Sequence, residues 1–226
     1  GDGAGALRAY RDSLAIRGHL AAADPTNAGW QRDLAVSQEK VGDVLLAQGD
    51  GAGALRAYRD SLAIAERLAA ADPTNAEWQS DLADGHIKVG DVLRVQGDAA
   101  RALREYREAL AIAERLAAAD PTNAHWQRGL AVSHGRVGDV LRAQGDAAGA
   151  LRAYRASLAI RERLAASDPT NAGWQDDLSV SHERVGDVLL AQGDTAGALR
   201  AYRADLAITE RLAAADPTNA GWQRDL

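Results

Sequence analysis

The chain of 226 residues contains no cysteine, which rules out a disulfide, a thiol nucleophile or a thiolate metal site. Its net charge of −6 weighs against the basic footprint of a nucleic-acid binder. No apolar run is long enough to cross a bilayer, and the opening GDGAGALRAYRD has no signal-peptide form. The composition is organised by a period. All five Trp (Trp30, Trp78, Trp126, Trp174, Trp222), all five Pro and all five Tyr recur every 48 residues. A fixed period of this size marks one supersecondary unit stacked on its copies. It overrides the one or two globular domains that length alone implies.

The chain reads as a single repeat array over 1–226. Residues 1–23 are helix B of a partial first repeat, followed by repeats at 24–71, 72–119, 120–167 and 168–215. Residues 216–226 are the truncated start of another. In the first full repeat, DPTNAGW sets the boundary. Pro25 stops what precedes it and Asn27 caps helix A, which runs to about Gln48. Trp30, Leu34, Val41, Val44, Leu45 and Gln48 fall within about 100° of one another on that helix. Gly49 ends helix A, and Asp50 caps helix B, which runs to about Ala71 before Asp72-Pro73 closes it. Leu55, Tyr58, Leu62, Ile64 and Leu68 give helix B a wide apolar face. A turn this short makes the two helices antiparallel. The Pro and Gly punctuation excludes one long coiled coil. Gly1 stands where an initiator methionine is expected, which reads as a segment of a longer protein, and a cytoplasmic location is expected.

The stretch VGDVLLAQGDGAGALRAYRDSLAI resembles the tetratricopeptide repeat. Val41-Gly42-x-x-Leu45 corresponds to the family's Leu-Gly-x-x-Tyr, and Ala54-x-x-x-Tyr58 to its Ala-x-x-x-Phe. The correspondence recurs at Gly90 with Ala102, Gly138 with Ala150, and Gly186 with Ala198. Two features depart from the family. Gln38, His86, His134 and His182 stand where its helix A Trp belongs, and the period exceeds the family's 34 residues by 14. The excess falls as seven residues in each helix, nearly two turns with about 20° of drift, so the buried faces keep their orientation. The resemblance implies an all-α, right-handed superhelical solenoid of antiparallel helix-turn-helix repeats, a long-helix variant found in large bacterial multidomain proteins. Its role would be to bind a protein or peptide along the concave helix A face.

The histidines His86, His134 and His182 repeat at a helix-packing distance of roughly 10 Å, far beyond shared zinc ligation near 2 Å. No Asp or Glu stands one turn from them, so they read as half-buried packing residues. Ser133-His134 and Ser181-His182 are sequence neighbours pointing about 100° apart, which forbids a nucleophile–base pair within one helix. QGDGAGAL follows a helix and lacks the Lys-Ser/Thr ending of a phosphate loop. The expectation is therefore no catalytic residue, no metal and no cofactor. The Arg pairs of helix B, such as Arg56 and Arg59, read as a solvated charge lattice with Asp60 and Glu66.

The remaining face of helix A carries the variation. Val36, Glu39, Asp43 and Leu46 are answered by Asp84, Ile87, Asp91 and Arg94 in the next repeat. Val132, Asp139 and Arg142, then Val180, Glu183, Asp187 and Leu190, follow in the third and fourth. These fifteen residues are the expected partner contacts, with the fixed Asp column lying off the buried stripe. No nucleic-acid or membrane partner is expected. The alternative is a self-assembling array, stacked end to end through terminal helices that lack a polar cap. Arg17 and Arg161 occupy a helix B position that the projection places near the core, a feature the sequence leaves without a physical reason.

Overall fold

The computed structural model describes residues 3–224 and is helical throughout its elements. In chain order these are α1 (Gly3–Ala23), α2 (Ala28–Ala47), α3 (Gly51–Ala71), α4 (Ala76–Val95) and α5 (Ala99–Ala119). They continue as α6 (Ala124–Ala143), α7 (Ala147–Ser167), α8 (Ala172–Ala191), α9 (Thr195–Ala215) and α10 (Ala220–Arg224). Even-numbered helices are the A members of each repeat and odd-numbered helices the B members. The chain forms two compact units, one ending at Leu116 and the other beginning at Ala117.

Local chemistry sets every boundary. Asp24 Oδ1 accepts from the Thr26 amide at 3.0 Å and from Thr26 Oγ1 at 2.6 Å, folding the chain at Pro25. Asn27 Oδ1 then accepts from the Trp30 amide at 3.1 Å, filling one of the orphan donors of the first turn. The DPTN box is thus a turn followed by a cap. The Gln after each Trp completes it: Gln31 Nε2 donates to Ala21 O at 3.0 Å, tying helix A to the last turn of the preceding helix B. Gln79, Gln127, Gln175 and Gln223 do the same.

Between helix A and helix B the turn is a Schellman stop. Gly49 sits at φ 82°, the Asp50 amide reaches Leu45 O at 2.9 Å and the Gly49 amide reaches Leu46 O at 3.0 Å. Asp50 Oδ1 then accepts from the Gly53 amide at 2.8 Å and starts helix B. Gln48, placed on the apolar stripe by projection, is exposed, because it is the C-cap residue where the chain leaves the helix.

In the first unit α1 packs on α2, α2 on α3 and α3 on α4, with α5 meeting α4 through Tyr106. In the second unit α6 packs on α7, α7 on α8 and α8 on α9, with α10 against α9. Helix B supplies the broad apolar face: Ala54, Tyr58, Leu62, Ile64 and Leu68 are buried. Helix A contributes Val41 and Leu45 and a bare Gly42. Two of the Trp serve the neighbouring repeat. Trp78 of α4 packs against Ala35, Ile64 and Leu68, and Trp174 of α8 against Ala131, Ile160 and Leu164.

A candidate partner-binding surface on the A helices

Helices A and B meet tightly where a glycine faces a tyrosine ring. A Cβ at Gly42 would lie 2.6 Å from Tyr58 Cε1, and Gly90, Gly138 and Gly186 face Tyr106, Tyr154 and Tyr202 at the same 2.6 Å. The ring is held at its far end by the fixed Asp of helix A. Tyr58 Oη donates to Asp43 at 2.8 Å, Tyr106 to Asp91 at 2.6 Å, Tyr154 to Asp139 at 2.8 Å and Tyr202 to Asp187 at 2.9 Å. Burial and the neighbouring carboxylate raise the Tyr58 and Tyr154 hydroxyls far above the usual tyrosine range, so both stay donors.

A cation from the following repeat closes this arrangement. Lys88 Nζ of α4 donates to Asp43 Oδ1 at 2.8 Å and lies 5.2 Å from the centre of the Tyr58 ring. Arg184 of α8 stands 3.8 Å from Asp139 and 5.9 Å from the centre of the Tyr154 ring. The Asp column is therefore part of the framework. The expectation that the column lies off the buried stripe misses this role: Asp91 and Asp139 are each the acceptor for a buried phenol. Burial works against the Asp43 charge, but the bonds from Lys88 and Tyr58 outweigh it and hold the carboxyl below its ordinary value.

The variable positions also join repeats. Arg32 of α2 reaches Asp81 of α4 at 2.6 and 3.2 Å and Glu77 at 3.1 Å. Arg128 of α6 meets Asp177 of α8 at 2.9 Å, and Arg142 meets Asp187 at 3.1 Å. Between these ion pairs apolar side chains stay in solvent. Val36, Leu46, Val95 and Leu190 are exposed, Leu190 by 51%. Val132, Val180 and Ile87 are half-buried, while Asp84, Arg94, Arg142 and Glu183 are exposed. In the first unit Val36, Glu39 and Asp84 come together around a small cavity of about 60 Å³, with Ser61, Ala65 and Trp78 behind them. Glu39 is half-buried there, its carboxyl raised above the ordinary glutamate value by burial, against the pull of Lys88 and a 3.2 Å bond from Ser61.

Arg17 and Arg161 now have a physical reason. Arg161 is 6% exposed; its Nη1 donates to Asp177 O at 2.6 Å and to Ser181 Oγ at 2.9 Å, both on the next helix A. Arg17 makes the same pair of bonds, 3.1 Å to Asp33 O and 2.9 Å to Ser37 Oγ. Of the histidines, His86 Nδ1 lies 2.7 Å from Glu105 on α5, a partner that a search along one helix cannot find. His182 is half-buried, and burial lowers its pKa. Among the described residues no group of three or more His, Cys, Asp or Glu is placed to hold a metal ion, and no helix is long and apolar enough to cross a membrane.

The tetratricopeptide-repeat family model matches residues 34–73 and 135–169. Among solved structures, the chain is similar to the apo form of RapI with a TM-score of 0.64 and 16% identity, over 80% of this chain and 44% of RapI. It is similar to MamA with a TM-score of 0.54 and 18% identity, over 94% and 92% of the two chains. A Podosopora anserina kinesin light chain-like protein with nearly identical TPR-like repeats gives a TM-score of 0.64 and 15% identity, over 93% and 89%. The chain thus spans less than half of RapI and most of the other two. A comparison with curated protein sequences finds no match. Repeats of this family commonly serve as protein-interaction scaffolds. The two matched segments are thus similar to tetratricopeptide repeats, and the chain shares the fold of TPR-like repeat structures, with a 48-residue repeat in place of the family's usual 34.

Proposed function

We propose that the chain is a non-catalytic scaffold that binds a protein or peptide across the A helices of each unit, α2 with α4 and α6 with α8. The supporting observation is where apolar side chains meet solvent. Val36, Leu46, Val95 and Leu190 are exposed on A helices, whereas no large apolar residue of the inner B helices α3, α5 and α7 is exposed among the described residues. Framework needs do not explain exposed apolar residues between ion pairs on the A helices. The partner contacts are those expected from the variable rows, with the Asp column acting through whatever acceptor capacity its Tyr leaves. Peptides selected from a displayed random library on the immobilised chain provide the probe. Leu46→Glu and Leu190→Glu should weaken the selected peptides at least tenfold, and Arg56→Glu and Arg104→Glu on the B helices should not. The reverse pattern would place binding on the B surface.

A second reading, end-to-end association, has its own support. Tyr10 is 39% exposed where Tyr58 is 3%, and Leu206 is 43% exposed where Leu62 is 7%. Helix α1 thus presents a face that inner copies bury against helix A of their own repeat, α9 presents one that they bury against the next repeat, and a second copy of the chain fits them. Sedimentation across a concentration series tests this: reversible growth that Leu206→Lys abolishes supports it, and a monomer at every concentration contradicts it.

A further inference from the structure

The slot between a helix B and the next helix A is filled from within in two places. Arg17 fills it between α1 and α2, and Arg161 between α7 and α8, each donating to a helix A carbonyl and a serine. Between α3 and α4 the 48-residue register puts Ala65 where the arginine stands and Gly85 where the serine stands. Here the structure has the cavity of about 60 Å³, several times the roughly 10–15 Å³ that one water needs. The Asp81 carbonyl, equivalent to Asp177 O and Asp33 O, belongs to a residue lining it.

The charge around the slot is inverted as well. At the Arg161 slot the positions matching Glu39 and Asp84 are Gly135 and Val180. At the α3–α4 slot those two acids and Asp81 line the cavity against one cation, Arg32. Arg32 is engaged with Asp81 and Glu77, and Lys88, whose charge also reaches Glu39, donates to Asp43. The slot without its own guanidinium is lined by the Glu39 carboxylate, which would neutralise one.

We propose that the cavity between α2, α3 and α4 receives an arginine side chain of the bound peptide, in the place that Arg161 occupies within the other unit. A planar guanidinium suits it better than an ammonium, because two acceptor directions, the Asp81 carbonyl and the Glu39 carboxylate, are met by one rigid fork. Burial that disfavours the Glu39 charge is relieved when a cation arrives. The inference deepens the peptide-binding reading and rests on it for its biological sense, but the test needs no peptide partner.

The probe is N-acetyl-arginine methylamide, titrated into the isotope-labelled chain and followed by NMR, with the citrulline and lysine analogues as controls. Saturable shifts are expected at Ala65, Gly85 and the Trp78 indole. Citrulline, of the same shape without the charge, should give none, and lysine should bind at least threefold more weakly. Ala65→Arg rebuilds the internal guanidinium and should abolish the shifts while unit-two signals such as Gly138 stay in place. Should Ala65→Arg perturb the fold, Glu39→Gln decides, with an expected loss of at least threefold. No saturable shift with the arginine analogue, equal binding of citrulline, or unchanged binding to Glu39→Gln would each overturn the proposal. Selected peptides that still respond to Leu46→Glu while the arginine analogue fails would sink this inference and leave the peptide-binding reading standing.

Discussion

Adding one methyl group at Gly138 tests the packing that fixes each repeat. An alanine there would bring Cβ to 2.6 Å from Tyr154 Cε1 and 2.7 Å from Cδ1, distances at which something must move. The ring cannot swing aside freely. It is 1% exposed and its hydroxyl is tied to Asp139 at 2.8 Å. Overpacking typically costs about 1–3 kcal/mol, and a ring pinned at both ends belongs in the upper half of that range. Replacing glycine inside a helix returns about 1 kcal/mol of propensity. The net expectation for Gly138→Ala is a loss of about 1–2 kcal/mol. In a Tyr154→Val background the three ring atoms nearest the new methyl are gone, so the same substitution should stabilise by about 1 kcal/mol. The coupling between the two positions is then about 2–3 kcal/mol. Urea unfolding followed by circular dichroism measures all four members of the cycle. The reversal of sign is the decisive feature. A Gly138→Ala effect of equal size and sign in both backgrounds would mean that the ring does not set the approach of α6 and α7.

Two further perturbations probe the same framework. Asp139→Ala should cost about 1–3 kcal/mol by leaving the buried Tyr154 hydroxyl without its acceptor, and much less in a Tyr154→Phe background, where no acceptor is needed; equal losses in both would refute the Asp–Tyr bond as the cause. Burial raises the Glu39 carboxyl above its ordinary value, so the folded chain holds that proton more tightly than the unfolded chain does. The associated stability is present below the unfolded value and is lost as pH rises through the folded one. Glu39→Gln should therefore raise the melting temperature at neutral pH, and the gain should vanish as pH falls below the usual glutamate range; a gain that is independent of pH would contradict this.

The helices were legible because their punctuation is chemical and local. The Asp-Pro-Thr-Asn box, the Gly at φ 82° and the Asp cap each act within a few residues, so sequence alone locates them. What sequence could not supply lies between helices. Projecting α2 by itself puts Asp43 outside the apolar stripe, and it cannot show that Tyr58 reaches over from α3, 15 residues on, to use it. Arg161 looked misplaced for the same reason: its acceptors belong to α8. The pairing of Arg17 with Ser37 and Arg161 with Ser181, against Ala65 with Gly85, was a signal in the sequence, but it has meaning only once the two positions are known to touch. Glu39 and Asp84 were identified as surface contacts, yet the cavity they share has Ala65, with its small side chain, behind them.

Amide hydrogen exchange of the chain, alone and saturated with a selected peptide, tests the proposed function most directly. Binding across the A helices predicts added protection in α2 and α4, or in α6 and α8, centred on the segments that carry Val36, Leu46, Val180 and Leu190, with little change in α3 and α7. Protection confined to α3, α5 and α7, or to the end helices α1 and α9 alone, would contradict it.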